Sequence, residues 1–337
     1  MTPLVEIPPV GFRHSERVAD NKLAQIVKDI RANWGTTPLC VDLGLLPPSV
    51  QAWALKALGE KARYQMSLLQ DCKLSLVPVT GLNRNPAYQA AVASMVATHR
   101  GGACIRLRCT DIQSLTFRSD LNQLLSVLKL QPTETDLLVD YRVIDESCPS
   151  FASICESIPD LLEWRSFTIS SGAFTKDLSD FQKNCQHQFS RLDWQTWCRE
   201  VTEGPSLSRM PTYGDYTVQH AIYYDPPERA HFSASIRYTA DEYWVIMRGE
   251  SVFSDNGSGY EQWPANAYML CQRDEFCGAD FSAGDAYFMR MGSQLENGGI
   301  KESGGAETWI RAGINHHLTF VVRQIASLFD PSTVVAR

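Results

Sequence analysis

The chain has 337 residues, 44% hydrophobic and 20% charged, with a net charge of −7. That composition suits a globular protein with a sizeable core, no apolar run nears the roughly 20 residues that cross a bilayer, and the negative balance leaves only a local basic cleft for nucleic acid. "MTPLVEIPPVGFRH" lacks the basic-then-apolar plan of a secretory signal, and the ten cysteines form no C-x-x-C, so the expectation is a cytoplasmic protein with free thiols and no zinc ribbon.

From the N-terminus, "LVEI" (residues 4–7) predicts a first strand, and "ADNKLAQIVKDIRANW" a helix with Leu23, Ile26, Val27 and Ile30 on one face. "LCVD" (39–42) is the second strand. The helix after it opens on Pro48 and Ser49 in "PPSVQAWALKALGEKARYQMSLL". Strands at 74–79, 103–108, 137–141 and 167–170 follow, with "NPAYQAAVASMVATH" and "SDLNQLLSVLKLQ" as helices among them. A further helix is predicted over "LSDFQKNCQHQFSRLDWQTWCREV".

The strands start about 30–35 residues apart, the length of one β–α unit. Nearly continuous apolar strands indicate a parallel sheet covered by helices. The even spacing favours a TIM-like (β/α) barrel, incomplete or irregularly closed, over an open doubly wound sheet, and no G-x-G-x-x-G follows the first strand. "TYGDYTVQH" (212–220) predicts a seventh strand. For the eighth, "SASIRYT" (233–239) either closes the ring or forms a hairpin with "YWVIMRG". Beyond residue 231, glycines and aromatics crowd together. The predicted division is a barrel-like domain over 1–231 and an appended α+β module over 232–337 packed on it. That module holds a long helix at 307–329 and a surface loop, "ENGGIKESGG".

Several strands end on a charge. Period-2 alternation sets Glu6 with Leu4, Asp42 with Cys40, Arg106 with Cys104 and Arg108, and Asp140 with Leu138 and Arg142. In a parallel barrel the C-terminal strand ends form the face that carries chemistry. Glu6, Asp42, Asp140 and Arg106 are therefore expected to converge there with Thr80, Ser170 and Asp215. On a functional account, Glu6, Asp42 and Asp140 are catalytic. They hold Mg²⁺ or act as acid–base groups in a metal-dependent phosphodiesterase or nuclease. Arg106 and Arg142 then grip a phosphate-containing small molecule or nucleic acid, and Asp42→Asn or Arg106→Ala abolishes binding in a folded protein. On a structural account the same charges pair, Arg106 with Asp140, and fill the top of the barrel.

Other signals are local. In "RYTADEYWVIMRG", Arg237 and Arg248 stand beside Tyr238 and Trp244. They form either a ligand-stacking surface or a hairpin packed by its tryptophan. Trp244, Trp263 and Trp309 are the anchors of an alternative reading, a non-enzymatic module that docks a protein partner through its C-terminal part. A sugar- or carboxylate-processing lyase is a third. His316 and His317 point about 100° apart on a helix and read as structural. His220 and His231 complete no zinc set. "SSGAF" (170–174) offers backbone donors to a phosphate at a helix start.

"PLVEIP", "VDLG", "PVTGLNR", "IRL", "LLVDY", "YGDYTVQ", "IRYT", "YWVIMRG", "FCGADFSAGD" and "WIRAGINHHLTFVVRQIA" together resemble the beta family proteins of bacteria and phages, grouped under the T4 beta protein name. The resemblance runs in the same order over nearly the whole chain. It implies a barrel-like αβ protein of bacterial and phage or mobile-element context, and the leading expectation is a phage, mobile-element or antiphage-defence protein. It brings no established reaction and no catalytic residues. Family members start with a further strand and helix, carrying a Lys and a Glu, before the segment like "PLVEIP". Without that unit, the resemblance implies a ring closed by "SASIRYT" or an incomplete rim.

Overall fold

β1 (Leu4–Glu6) leads through α1 (Glu16–Trp34) to β2 (Leu39–Asp42), and α2 (Pro48–Tyr64) to β3 (Leu76–Thr80). Next come α3 (Pro86–His99), β4 (Ala103–Leu107), the single turn α4 (Cys109–Ile112), α5 (Phe117–Leu128) and β5 (Thr135–Val143). α6 (Phe151–Ser157), β6 (Ser166–Gly172), β7 (Cys185–Ser190), α7 (Leu192–Thr202) and β8 (Thr212–Gly214) follow. The chain ends in β9 (Ile236–Thr239), β10 (Tyr243–Arg248), α8 (Gln262–Cys271), α9 (Ala283–Gly292) and α10 (Ala306–Leu328). The computed structural model describes residues 2–12, 15–64, 74–225, 233–253 and 259–329. The end of the predicted second helix past residue 64, the division at residue 231 and His231 lie outside the described residues.

The described chain forms two units by contact. Met1–Tyr141, Asp145–Ser170 and Arg199–Gly214 make the first; Arg142–Ile144, Ser171–Cys198 and Asp215–Arg337 make the second.

The first unit holds a seven-stranded parallel sheet in the order β1-β2-β3-β4-β5-β6-β8. β2, β3 and β4 are buried along their whole length, as strands covered on both faces must be. α3 starts where Asn85 caps it, accepting a hydrogen bond from Tyr88 N at 2.8 Å, with Pro86 in the first turn. α1 buries Ala19, Leu23 and Val27. The sheet is curled into a half-barrel. On a flat sheet β1 and β4, three strands apart, would stand roughly 14 Å from each other, yet Arg106 of β4 bonds Glu6 of β1 at 2.6 Å. Inside the curl lies an apolar layer of Cys40, Val77, Val79 and Cys104, flanked by Leu4 and Leu138. The Cys40 and Cys104 thiols hydrogen-bond across β3, which together with burial raises the Cys104 pKa.

On closure, the finding falls on the incomplete side of the expected barrel. Among the described residues β1 and β8 are the two edges of the sheet, and "SASIRYT" does not join it. Its strand, β9, forms the hairpin with β10 instead, in a separate antiparallel sheet ordered β7-β10-β9. That sheet belongs to the second unit. Val245 and Met247 face one core with Trp263, Phe288 and Trp309. Trp244 and Ile246 face another with Phe174 and Val218. Trp244, Trp263 and Trp309, expected as surface anchors, are thus core residues. A large flat ring surrounded by apolar side chains cannot also meet a partner.

A second correction falls at 178–201. The predicted helix is a strand, β7, followed by α7. From Cys185 to Ser190 burial alternates residue by residue, the period of a strand. β7 completes the edge of β10 with six paired residues, from Ser190 opposite Tyr243 to Cys185 opposite Arg248. Helical spacing begins only at Leu192, with Trp194 and Trp197 buried three residues apart.

Candidate functional site

Above the apolar layer, one residue further along each strand's inward face, the side chains become charged. Arg106 is the centre. Its Nη1 donates to Glu6 Oε1 at 2.6 Å and Asp42 Oδ2 at 2.7 Å. Its Nε and Nη2 reach Asp140 Oδ2 at 2.7 and 2.6 Å. One guanidinium therefore ties together carboxylates from β1, β2 and β5, and only 4% of its side chain is exposed. Ser170 Oγ donates to Asp140 Oδ1 at 3.4 Å. The sheet's curl makes this convergence possible, and register makes it specific, since a slip of one residue would turn every charge outward.

Two further arginines complete the rim, and neither was singled out as a ligand-binding residue from the sequence. Arg84, in the loop after β3, donates through Nη2 to Asp42 Oδ1 and Oδ2 at 2.7 and 3.0 Å. Arg108, two residues beyond Arg106, donates through Nη1 to Asp140 Oδ2. Their side chains are 19% and 27% exposed, against 1% and 0% for the carboxylates that they touch. Arg108 was within reach of the alternation that picked Arg106. Arg84 sits in a loop, where no period applies; the one available signal was a lone basic residue closely following a strand end.

Gly44 makes room for Arg84. Its N–H donates to Asp42 Oδ1 at 2.7 Å, and a Cβ at this position would stand 1.9 Å from Arg84 Nη1. Gly44→Ala is expected to expel the Arg84 guanidinium while Arg106 stays on Asp42, lowering stability by about 1–3 kcal/mol. A crystal structure of the variant with Arg84 still on Asp42 would contradict this.

The donor set does not fit Mg²⁺. Among the described residues no group of three or more His, Cys, Asp or Glu side chains is placed to hold a metal ion. A guanidinium stands between the carboxylates where the cation was expected.

The other expected members are elsewhere. Asp215 belongs to the second unit, where it accepts from His317 Nε2 at 2.7 Å and Thr217 N at 3.0 Å. Burial alone would raise its pKa, but the charge and hydrogen bond of His317 outweigh it and hold it at about 2. Arg142 has a left-handed φ of 59°, which breaks the alternation that placed it beside Asp140. Thr80 is buried with no partner for its hydroxyl among the described residues, on the face opposite Val79.

Arg237 and Arg248 are spent inside the second unit. Arg237 donates to Val218 O at 2.7 Å and lies 4.7 Å over the Phe174 ring; burial lowers its pKa to about 10. Arg248 donates to Leu178 O, Ser235 Oγ and Gly249 O. Neither presents a stacking surface. "SSGAF" leads into no helix, and Phe174 is core.

His316 and His317 are structural, both buried. His316 links Asp285 Oδ2 (2.8 Å) to Thr239 O (2.9 Å) and stacks on Tyr238 at 3.7 Å. His317 links Asp215 to Thr239 Oγ1 at 2.8 Å. The adjacent rings thus grip β9 from α10 in two different directions.

A curled parallel α/β sheet with an arginine–carboxylate network at its strand ends defines the class of protein. The family model described as Beta protein matches residues 1–323, and the chain belongs to that family. No curated protein matches it. Among the described residues no helix is long and apolar enough to cross a membrane.

Proposed function

We propose that the rim is an anion seat, and that the protein binds a phosphate-bearing small molecule there, in the cytoplasm of a bacterial or phage setting. The observation that carries this reading is the division of labour among the three arginines. Arg106 is buried and consumed by carboxylates. Arg84 and Arg108 each commit one terminal nitrogen to a buried carboxylate. The rest of each fork has no hydrogen bond among the described residues. A guanidinium has five donors in a planar fork matched to phosphate oxygens. An anion can therefore dock on the outer edges without stripping Asp42 and Asp140 of their partners. Because arginines occupy the carboxylates among the described residues, binding is the reading favoured over metal-assisted hydrolysis.

Calorimetric titration with ribose 5-phosphate tests it. Wild type is expected to bind, and the Arg84→Ala/Arg108→Ala double variant to bind about a hundredfold or more weaker with its circular dichroism spectrum intact. Equal affinity in the two proteins would refute the site.

A further inference from the structure

Glu6 differs from the other carboxylates of the rim. Asp42 accepts from Gly44 N, Arg84 and Arg106, and Asp140 from Arg106, Arg108 and Ser170. Among the described residues Glu6 accepts from Arg106 alone, through Oε1, and 23% of its side chain is exposed. Oε2 has no partner among the described residues. The rim thus presents one open carboxylate oxygen in the same array as two partly exposed guanidiniums. Glu6 and Asp42 share Arg106 Nη1, and Asp42 carries Arg84, so the acceptor and the donors belong to one hydrogen-bonded array.

Resting on the anion-seat reading, we infer that Glu6 is the specificity residue of the rim, and that the ligand is a phosphate ester whose organic part carries hydroxyl groups. A bare oxyanion on Arg84 and Arg108 would join the array that holds the charge of Glu6, and like charges repel. An ester with hydroxyls next to its phosphate turns that repulsion into charge-assisted hydrogen bonds donated to Oε2. A stacking base is not the feature read here, because the aromatic ring beside Arg84, Tyr88, is fully buried. The chemistry fits a polyol or sugar phosphate.

Two esters separate the possibilities: ribose 5-phosphate, which has hydroxyls, and methyl phosphate, which has none. Calorimetry on wild type is expected to show ribose 5-phosphate binding about tenfold or more tightly. In Glu6→Gln that preference is expected to vanish, with methyl phosphate binding at least as well as before. Equal binding of both esters by wild type, or an unchanged ratio in Glu6→Gln, overturns the role of Glu6 and leaves the anion seat standing. Binding of neither ester by wild type, measured independently of any variant, removes the anion seat and the inference with it.

Discussion

Replacing Arg106 with methionine is expected to lower stability by about 3–5 kcal/mol, a substantial part of what holds a domain folded. The variant keeps the volume and the apolar contacts of the stem but removes the cation shared by Glu6, Asp42 and Asp140. Arg84 and Arg108 remain on Asp42 and Asp140, so three carboxylates are left with two cations, and two of the carboxylates cannot reach water. Arg106→Lys is expected to fall between wild type and methionine, because a compact ammonium with three donors cannot span carboxylates from three strands. Urea denaturation reads the difference as a lowered midpoint. A methionine variant within about 1 kcal/mol of wild type would mean that the cluster is not a keystone. The expectation that Arg106→Ala removes binding from an intact fold therefore passes to Arg84 and Arg108, whose loss leaves the core of the network in place.

The second large effect lies in the second unit. Asp193, at the start of α7, is buried, and its Oδ1 accepts from Trp194 N at 2.9 Å. Burial first, then the charge of Asp215, raises its pKa to about 7. Arg191 opposes the rise, yet its Nε and Nη2 find no hydrogen-bond partner among the described residues, and its guanidinium lies 5.4 and 5.9 Å from the Trp194 and Trp244 rings. Between the ordinary 3.8 and about 7 the native state holds a proton that the unfolded chain has released. Stability from this group is thus full below the unfolded value and falls as pH rises through the folded one, by about 4 kcal/mol in all. Asp193→Asn is expected to leave stability near pH 4 almost unchanged and raise it by a few kcal/mol at pH 8. Asp215 runs the other way. Its lowered pKa of about 2 stabilises above 3.8 and is lost as pH falls toward 2, so both proteins should weaken in strong acid. Parallel melting-temperature curves for wild type and Asp193→Asn from pH 4 to pH 8 would contradict the assignment.

Legibility in the sequence followed physical locality. Strands buried on both faces announce themselves as apolar runs, so the parallel units could be read in order. The alternation within them was enough to put Glu6, Asp42, Arg106 and Asp140 on one face. What alternation could not supply was the state of those charges. Whether Arg106 grips a ligand or three neighbours depends on how tightly the sheet curls, which is a property of all the strands together. Arg84 was invisible because its position is set by a slot over Gly44, not by a period. β7 was misread because Gln186, His187 and Gln188 carry no strand preference of their own; the waiting edge of β10 makes that segment a strand. Asp215 and Arg142 were misplaced for a simpler reason: the chain departs from strand geometry at each.

The most direct measurement is a crystal of the wild-type protein soaked in tungstate, an oxyanion visible by its anomalous scattering. The account predicts the anion bound at the strand ends, with Arg84 and Arg108 nitrogens about 2.7–2.9 Å from its oxygens and Arg106 still on its three carboxylates. Tungstate bound only elsewhere, with the outer edges of Arg84 and Arg108 bare, would contradict it.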